Sequence, residues 1–244
     1  MRINIRLLVL VGVLTALSLV PGRGGAQIST LIRVQHDSFI SYYDQDLHIP
    51  MIVCYLLESR HFSGSEKVSG HHFKIDTKLP RPRVKDGDYT NSGFVRGHMV
   101  AAGDRDSKKS WLKETYLTSN LVPMTMVLNS GPWKQIEDSV RLLSVDGHRL
   151  KVVKVSVDRY RESTEACNTN FPRWIVRDRF SICVPDGFLC LVECMDCPLA
   201  KVWGCWQRPR ECITIHESTQ LMKSVRPDVS LILKNILRSW NHEE

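Results

Sequence analysis

Ser92-Gly93-Phe94-Val95-Arg96-Gly97-His98-Met99-Val100-Ala101-Ala102 opens a segment that continues through Thr118-Ser119-Asn120-Leu121-Val122-Pro123 to Asn129-Ser130-Gly131-Pro132-Trp133 and Glu137. An arginine, a histidine and neutral amides therefore stand between positions 96 and 129. That set suits cleavage of a phosphodiester, which needs a base for the attacking water, positive charge on the phosphoryl oxygens and help for the departing oxygen. His98 fits the base, because an imidazole changes protonation near neutral pH. Arg96 can make forked, charge-assisted hydrogen bonds to phosphate oxygens, and Gly97 leaves room for a bulky backbone to approach. Asn129 can present an amide oxygen to a hard cation such as Mg2+, or Mn2+ in its place; magnesium retains several waters, so one protein ligand plus a substrate phosphate suffices. Glu137 lies eight positions beyond Asn129, about 80 degrees around an ideal helix, and is placed to orient a water or an arginine. Each residue also has an ordinary competitor. His98 can be a structural histidine, Arg96 an ion-pair partner, Asn129 a helix cap and Glu137 a solvated helix residue.

Working outward, the run Pro50-Met51-Ile52-Val53-Cys54-Tyr55-Leu56-Leu57 is short, apolar and rich in strand formers, and reads as a buried strand. From there to about Asn91 the chain is broken by Gly64, Gly70, Pro80, Pro82 and Asp86-Gly87-Asp88, and should travel mostly as surface loop. Phe94 to Ala101 resumes a strand-like register. After Pro132, apolar Trp133, Ile136, Val140 and Leu143 recur at three- and four-residue intervals, predicting an amphipathic helix with proline in its first turn. Asp146-Gly147 marks a turn, Leu150 to Val157 a sheet strand, and Asp228 the cap of a last helix carrying Leu231, Ile232, Ile236, Leu237 and Trp240. The fold class predicted is α+β.

The ordered motifs carry a resemblance. Ser92-Gly93-Phe94-Val95-Arg96-Gly97-His98, then Ser119-Asn120 with Pro123, then Asn129-Ser130-Gly131-Pro132-Trp133 with Glu137, is similar to the DNA/RNA non-specific endonucleases, including the endonuclease G type. The likeness runs from about Tyr42 to Val157, with a weaker echo from Ile213 to Pro227. It implies a ββα-metal nuclease core with a central antiparallel sheet, to which this chain adds a cysteine-rich insertion from Cys167 to Cys212, outside the family's common core. It also implies that His98 activates water, Asn129 binds magnesium, Arg96 meets the substrate or transition state, Asn120 orders the site and Glu137 supports it near the metal. The family cuts DNA and RNA alike and leaves 5′-phosphorylated ends, and contact through the phosphate backbone, which carries no base identity, accounts for that breadth. Dimers occur in the family, so a homodimer is a further expectation. The sequence departs from the pattern at Val95, where the family has aspartate, and upstream, where Ser69-Gly70-His71-His72 replaces an expected arginine ahead of Phe73-Lys74-Ile75-Asp76. The departure at Val95 keeps open a nucleic-acid-binding protein with impaired turnover, and the cysteine-rich insert an extracellular protein-interaction module.

The chain ends supply compartment and size. Arg2 and Arg6 precede an apolar run from Leu7 to Val20, then Pro21 and Gly24-Gly25-Ala26, the layout of a secretory signal peptide over 1–26. This 14-residue run falls short of the roughly 20 needed to cross a bilayer, so no stable membrane anchor is expected after cleavage. A single nuclease-like domain over 27–244 follows, secreted or in the lumen of the secretory pathway. With 33 Lys+Arg against 26 Asp+Glu, loss of the leader's three arginines lowers the formal charge from +7 to +4, which favours an anionic partner without requiring one. All eight cysteines lie beyond the leader, and six crowd between 183 and 212, within an insertion placed at 167–212. Disulfides are the expected use of these thiols in an oxidising compartment. A zinc site built from Cys194 and Cys197 with Cys205 and Cys212 is the rival.

Overall fold

The computed structural model describes residues 31–62, 64–68, 72–158, 172–207, 225 and 227–239; the leader, Cys167, Cys212 and the echo at 213–224 lie outside them. The chain enters through β1 (Leu31–Gln35) and β2 (Ile40–Asp44), which turns into the long strand β3 (Ile49–Leu57). Pro50, which has no N–H to give to a ladder, stands opposite Tyr43 where the β2–β3 register slips, so the strand accommodates it at an irregularity. Strand β4 (Val95–His98) pairs with β5 (Leu121–Met124) as a separate two-stranded ribbon, and between them lie loops and helix α1 (Lys109–Thr115). Helix α2 (Met126–Ser130) and helix α3 (Pro132–Val145) follow directly. The strand-like stretch expected to reach Ala101 thus ends at His98, because Met99 and Val100 turn away to bond the Asn120 segment.

Strand β6 (Leu150–Val157) lies in the middle of the main sheet and is buried at every position, which is why Leu150 and four valines are spread over both of its faces, with Lys151, Lys154 and Ser156 buried among them. Strands β7 (Trp174–Arg177) and β8 (Phe180–Cys183) form a hairpin, and β9 (Gly187–Cys194) and β10 (Ala200–Trp206) return to the main sheet. The sheet order is β1-β2-β3-β6-β9-β10, antiparallel at each pairing. Most of the cysteine-bearing segment, where the sequence shows little regular structure, is therefore woven into the central sheet. Cys190 pairs with Lys154 across β6 and β9, and Cys205 pairs with Phe188 across β9 and β10. Helix α4 (Pro227–Ser239) packs against β3, with Val229, Leu233 and Leu237 buried; its start matches the predicted position, while the side chain of Asp228 lies outside the description. One core runs through Met51, Val53, Met99, Val122, Met124, Leu128, Trp133, Val152 and Phe188, joining the ribbon, helix α3 and the main sheet. The fold is mixed α+β with a central antiparallel sheet, as the motifs implied.

Candidate active site

His98 ends β4 opposite Leu121 and is half-buried, its ring against Phe73 and edge-on to Tyr116 at centroid distances of 5.1 Å. Its backbone carbonyl accepts a hydrogen bond from the Trp133 indole at 3.1 Å, so the first turn of α3 holds the end of β4. Gly97, beside it, is occupied from within: a Cβ there would lie 2.4 Å from the Met124 side chain. The room expected for a phosphate backbone is thus filled by a methionine, and Gly97 serves packing of β4 on β5.

Asn120 is wholly buried, and its amide is fully used. Its Oδ1 accepts from Val100 N at 2.8 Å, while Nδ2 donates to Val100 O at 3.0 Å and Thr115 O at 2.9 Å. Met99 N also donates to Asn120 O, so the chain leaving His98 is fastened to the turn before β5. The neighbouring Ser119 hydroxyl meets His36 Nε2 at 3.1 Å, and Asp76 lies 3.2 Å from the same ring nitrogen. Burial works against the Asp76 carboxylate, yet hydrogen bonds from His36, Ser119 and the Lys78 backbone hold it below its ordinary range. Asp76 closes the Phe73-Lys74-Ile75-Asp76 segment that the sequence singled out; the geometry makes it an anchor for the ribbon.

Arg96 is an ion-pair partner as well as a candidate for phosphate. Its Nε lies 2.5 Å from Asp86 Oδ1, its Nη2 donates to Asp86 O at 2.6 Å, and its guanidinium sits 5.6 Å from the centroid of the Tyr89 ring. Two atoms of one aspartate therefore fix the plane of the guanidinium and leave Nη1 without a partner among the described residues. Val95, where the family has aspartate, packs instead against the core.

Asn129 lies on the last turn of α2, which packs against β4, and its amide makes no hydrogen bond to the described residues. It does not cap the following helix. The residue at that cap is Gly131, whose backbone (φ −109°, ψ −108°) separates α2 from α3 and puts a would-be Cβ 2.7 Å from Val127 O. This break corrects the expected alignment of Asn129 and Glu137 around one continuous helix. An unpartnered, half-exposed amide oxygen fits a hard divalent cation that completes its shell with water and phosphate.

Glu137, in the second turn of α3, faces inward and accepts from Lys154 Nζ at 3.0 Å, so a lysine holds the carboxylate that the sequence offered to a water or an arginine. Burial raises its carboxyl above the ordinary value against the pull of Lys154. The Lys154 ammonium loses solvation on a fully buried strand, but Glu137 and Asp104 hold it charged, above its usual value, and it lies 4.8 Å from the centroid of the Trp133 ring. Asp104 accepts from Tyr55 Oη at 2.8 Å and from Arg141 at 2.8 Å, and Arg105 donates to the carbonyls of Ser38, Leu56 and Asp104. This buried polar layer was missed in the sequence. Its one signal was a lysine interrupting the apolar run Leu150 to Val157.

A second cluster can coordinate a metal: one donor atom each from His148, Cys194, Asp196 and Cys197, all within 4.8 Å of one another. It sits at the Leu150 end of β6, whereas Met99, next to His98, meets Ser156 near the opposite end. Six residues of strand separate the two, on the order of 20 Å. Cys194 and Cys197 are joined as a disulfide, and Cys205 lies beside Phe188, far along β9 from Cys194; the expected set with Cys205 is thereby corrected.

A two-stranded ribbon ending in histidine, followed by a helix that presents an asparagine amide, is the ββα-metal arrangement. A family model described as DNA/RNA non-specific endonuclease matches residues 24–187, and the chain belongs to that family. The zebrafish (Danio rerio) mitochondrial nuclease EXOG is 34% identical over 103 residues, covering 42% of this chain and 30% of the relative. Bovine (Bos taurus) mitochondrial endonuclease G is 27% identical over 152 residues, covering 62% of this chain and 50% of the relative. The chain thus spans about a third to a half of the length of these relatives. A crystal structure of an EndoG/EndoGI complex superposes with a TM-score of 0.63 at 19% identity, covering 86% of this chain and 93% of that one, which is a likeness of fold. Membership supports nuclease chemistry and contact with nucleic acid.

Proposed function

We propose that this chain is a secreted or luminal, magnesium-dependent endonuclease that hydrolyses phosphodiester bonds in DNA and RNA and leaves 5′-phosphorylated ends. The observation that carries the reading is the unpartnered Asn129 amide on a helix packed against the strand that ends in His98. His98 accepts the proton of the attacking water at a ring nitrogen, with its backbone held by Trp133 and its ring by Phe73 and Tyr116. Arg96, oriented by Asp86, offers its remaining guanidinium edge to a phosphate oxygen. Asn129 would hold the divalent cation, which polarises the phosphate and stabilises the leaving alkoxide. Asn120 and Glu137 act through position, the first by fixing the turn after His98 and the second by anchoring α3 on the sheet. Contact with phosphate and sugar alone suits a substrate range that ignores base and sugar type. A homodimer, and removal of 1–26 before secretion, belong to the same proposal.

Purified protein lacking 1–26 is incubated with plasmid DNA and with RNA in Mg2+ or Mn2+, with and without EDTA. Both substrates should be cut, cleavage should stop in EDTA, and His98→Ala should lower turnover by about 10²–10⁴-fold while nucleic-acid binding persists. Binding without cleavage in either metal, or equal cleavage by His98→Ala, would overturn the proposal.

A further inference from the structure

The loop between β9 and β10 carries chemistry that the His98 site does not use. Cys194-Met195-Asp196-Cys197 closes the end of β9, and His148 approaches from the turn between α3 and β6. Asp196 Oδ1 lies 2.9 Å from Cys194 Sγ and 3.4 Å from His148 Nδ1. The backbone N–H of Arg149 also points at the carboxylate, at 3.3 and 3.4 Å from its two oxygens. Two cysteine sulfurs, joined as a disulfide, an imidazole nitrogen and a carboxylate oxygen thus converge from two segments 46 to 49 positions apart in sequence, all within 4.8 Å of one another. Around a tetrahedral zinc ion two thiolate sulfurs stand about 3.8 Å apart against about 2 Å in a disulfide, so reduction must first let the sulfurs separate, while the more distant donors close by roughly an ångström. The donors are of the soft and borderline kind that selects zinc; magnesium, which demands oxygen ligands in an octahedron, is a poor match.

We propose that this cluster is a two-state site: a disulfide between Cys194 and Cys197 under oxidising conditions, and a four-ligand Zn2+ site of His148, Cys194, Asp196 and Cys197 when the pair is reduced. In the reductive step a dithiol reductant gives two electrons and two protons to the disulfide, leaves as its own disulfide, and frees two thiols. Zn2+ then displaces the two thiol protons and takes both thiolates, the imidazole and the carboxylate. Both states tie Cys194, which stands opposite Leu150 on β6, to Cys197 in the loop beyond β9. The zinc state adds a cross-link to the α3–β6 turn that the disulfide lacks. Loop geometry would then be kept in either redox environment.

The test uses the whole chain lacking 1–26, reduced and held without oxygen, and titrated with Zn2+ against a chromophoric chelator. One tight equivalent is expected, absent from the oxidised protein and from the Cys194→Ser/Cys197→Ser variant. His148→Ala and Asp196→Ala, which leave both thiols in place, should each weaken it by about tenfold or more, since each removes one of the four ligands where loss of even a supporting contact costs that much. Co2+ in place of zinc should give a thiolate-to-metal absorption band that the double serine variant lacks. Circular dichroism on each variant separates lost binding from lost fold. No tight equivalent in the reduced protein, or one that persists undiminished in the folded double serine variant, would overturn the proposal; in the second case other cysteines hold the ion.

Discussion

At the scale of single residues, the site depends more on amides and carbonyls than on charge. Asn120 satisfies both halves of its amide inside the protein, and a carboxylate of the same shape cannot. Asn120→Asp would place an acceptor against the carbonyls of Val100 and Thr115, and should cost about 3 kcal/mol of stability, read by denaturant unfolding, with turnover falling in the folded fraction as well. Glu137→Leu should be similarly severe, about 3–5 kcal/mol, because it strands the buried Lys154 ammonium. The roles of these two residues differ in how far the sequence disclosed them. His98, Arg96 and Asn129 could be singled out because reactive side chains at fixed spacing suggest their own chemistry, and their roles rest on the proposal above. The partners could not, since Asp86 holding Arg96 and Lys154 holding Glu137 are set by tertiary approach across 10 and 17 positions with no local pattern.

At the scale of elements, periodicity disclosed what it physically controls. Strands β3 and β6 and helices α3 and α4 were visible because apolar residues recur at the spacing of a buried strand or an amphipathic helix. Strands β9 and β10 were obscured because cysteines drew the reading towards cross-linked loop, although Phe188-Leu189-Cys190-Leu191-Val192 is an apolar run once cysteine is counted as a buried side chain. The break at Gly131 was equally hidden, as a proline next to a glycine reads as a helix start without revealing the short helix before it. That break is sterically exact in its demand: a Cβ would meet backbone, which cannot move aside as a side chain can. Gly131→Ala should therefore shift α2 against α3 and displace Asn129. A raised KM for the divalent cation, with helix content by circular dichroism nearly unchanged, is the expected outcome.

At the scale of the whole molecule, acid sensitivity has an identifiable source away from the site. His61 is buried, receives a hydrogen bond at Nδ1 from the Glu58 backbone N–H, and is lowered to about 4 by burial and then by the charge of Arg105. Unfolded, it titrates near 6.5. The unfolded chain therefore binds more protons between these values, and the stability that neutral His61 carries above pH 6.5 is lost as pH falls towards 4. The depressed Asp76 adds a further loss at lower pH, as its carboxylate takes up a proton. Melting temperature followed from pH 7 to pH 4 should fall, and His61→Gln should remove part of that slope. The separate β4–β5 ribbon has a consequence of another kind. It shares apolar contacts with the main sheet but none of its ladder hydrogen bonds, so the ribbon that carries His98, the proposed base, can part from the sheet without breaking a strand-pairing hydrogen bond. Amide hydrogens of Arg96 and Val122 should then exchange with solvent faster than those of Val153 and Leu191, and the part of the molecule proposed to meet a long polymer would be the part most able to yield to its shape.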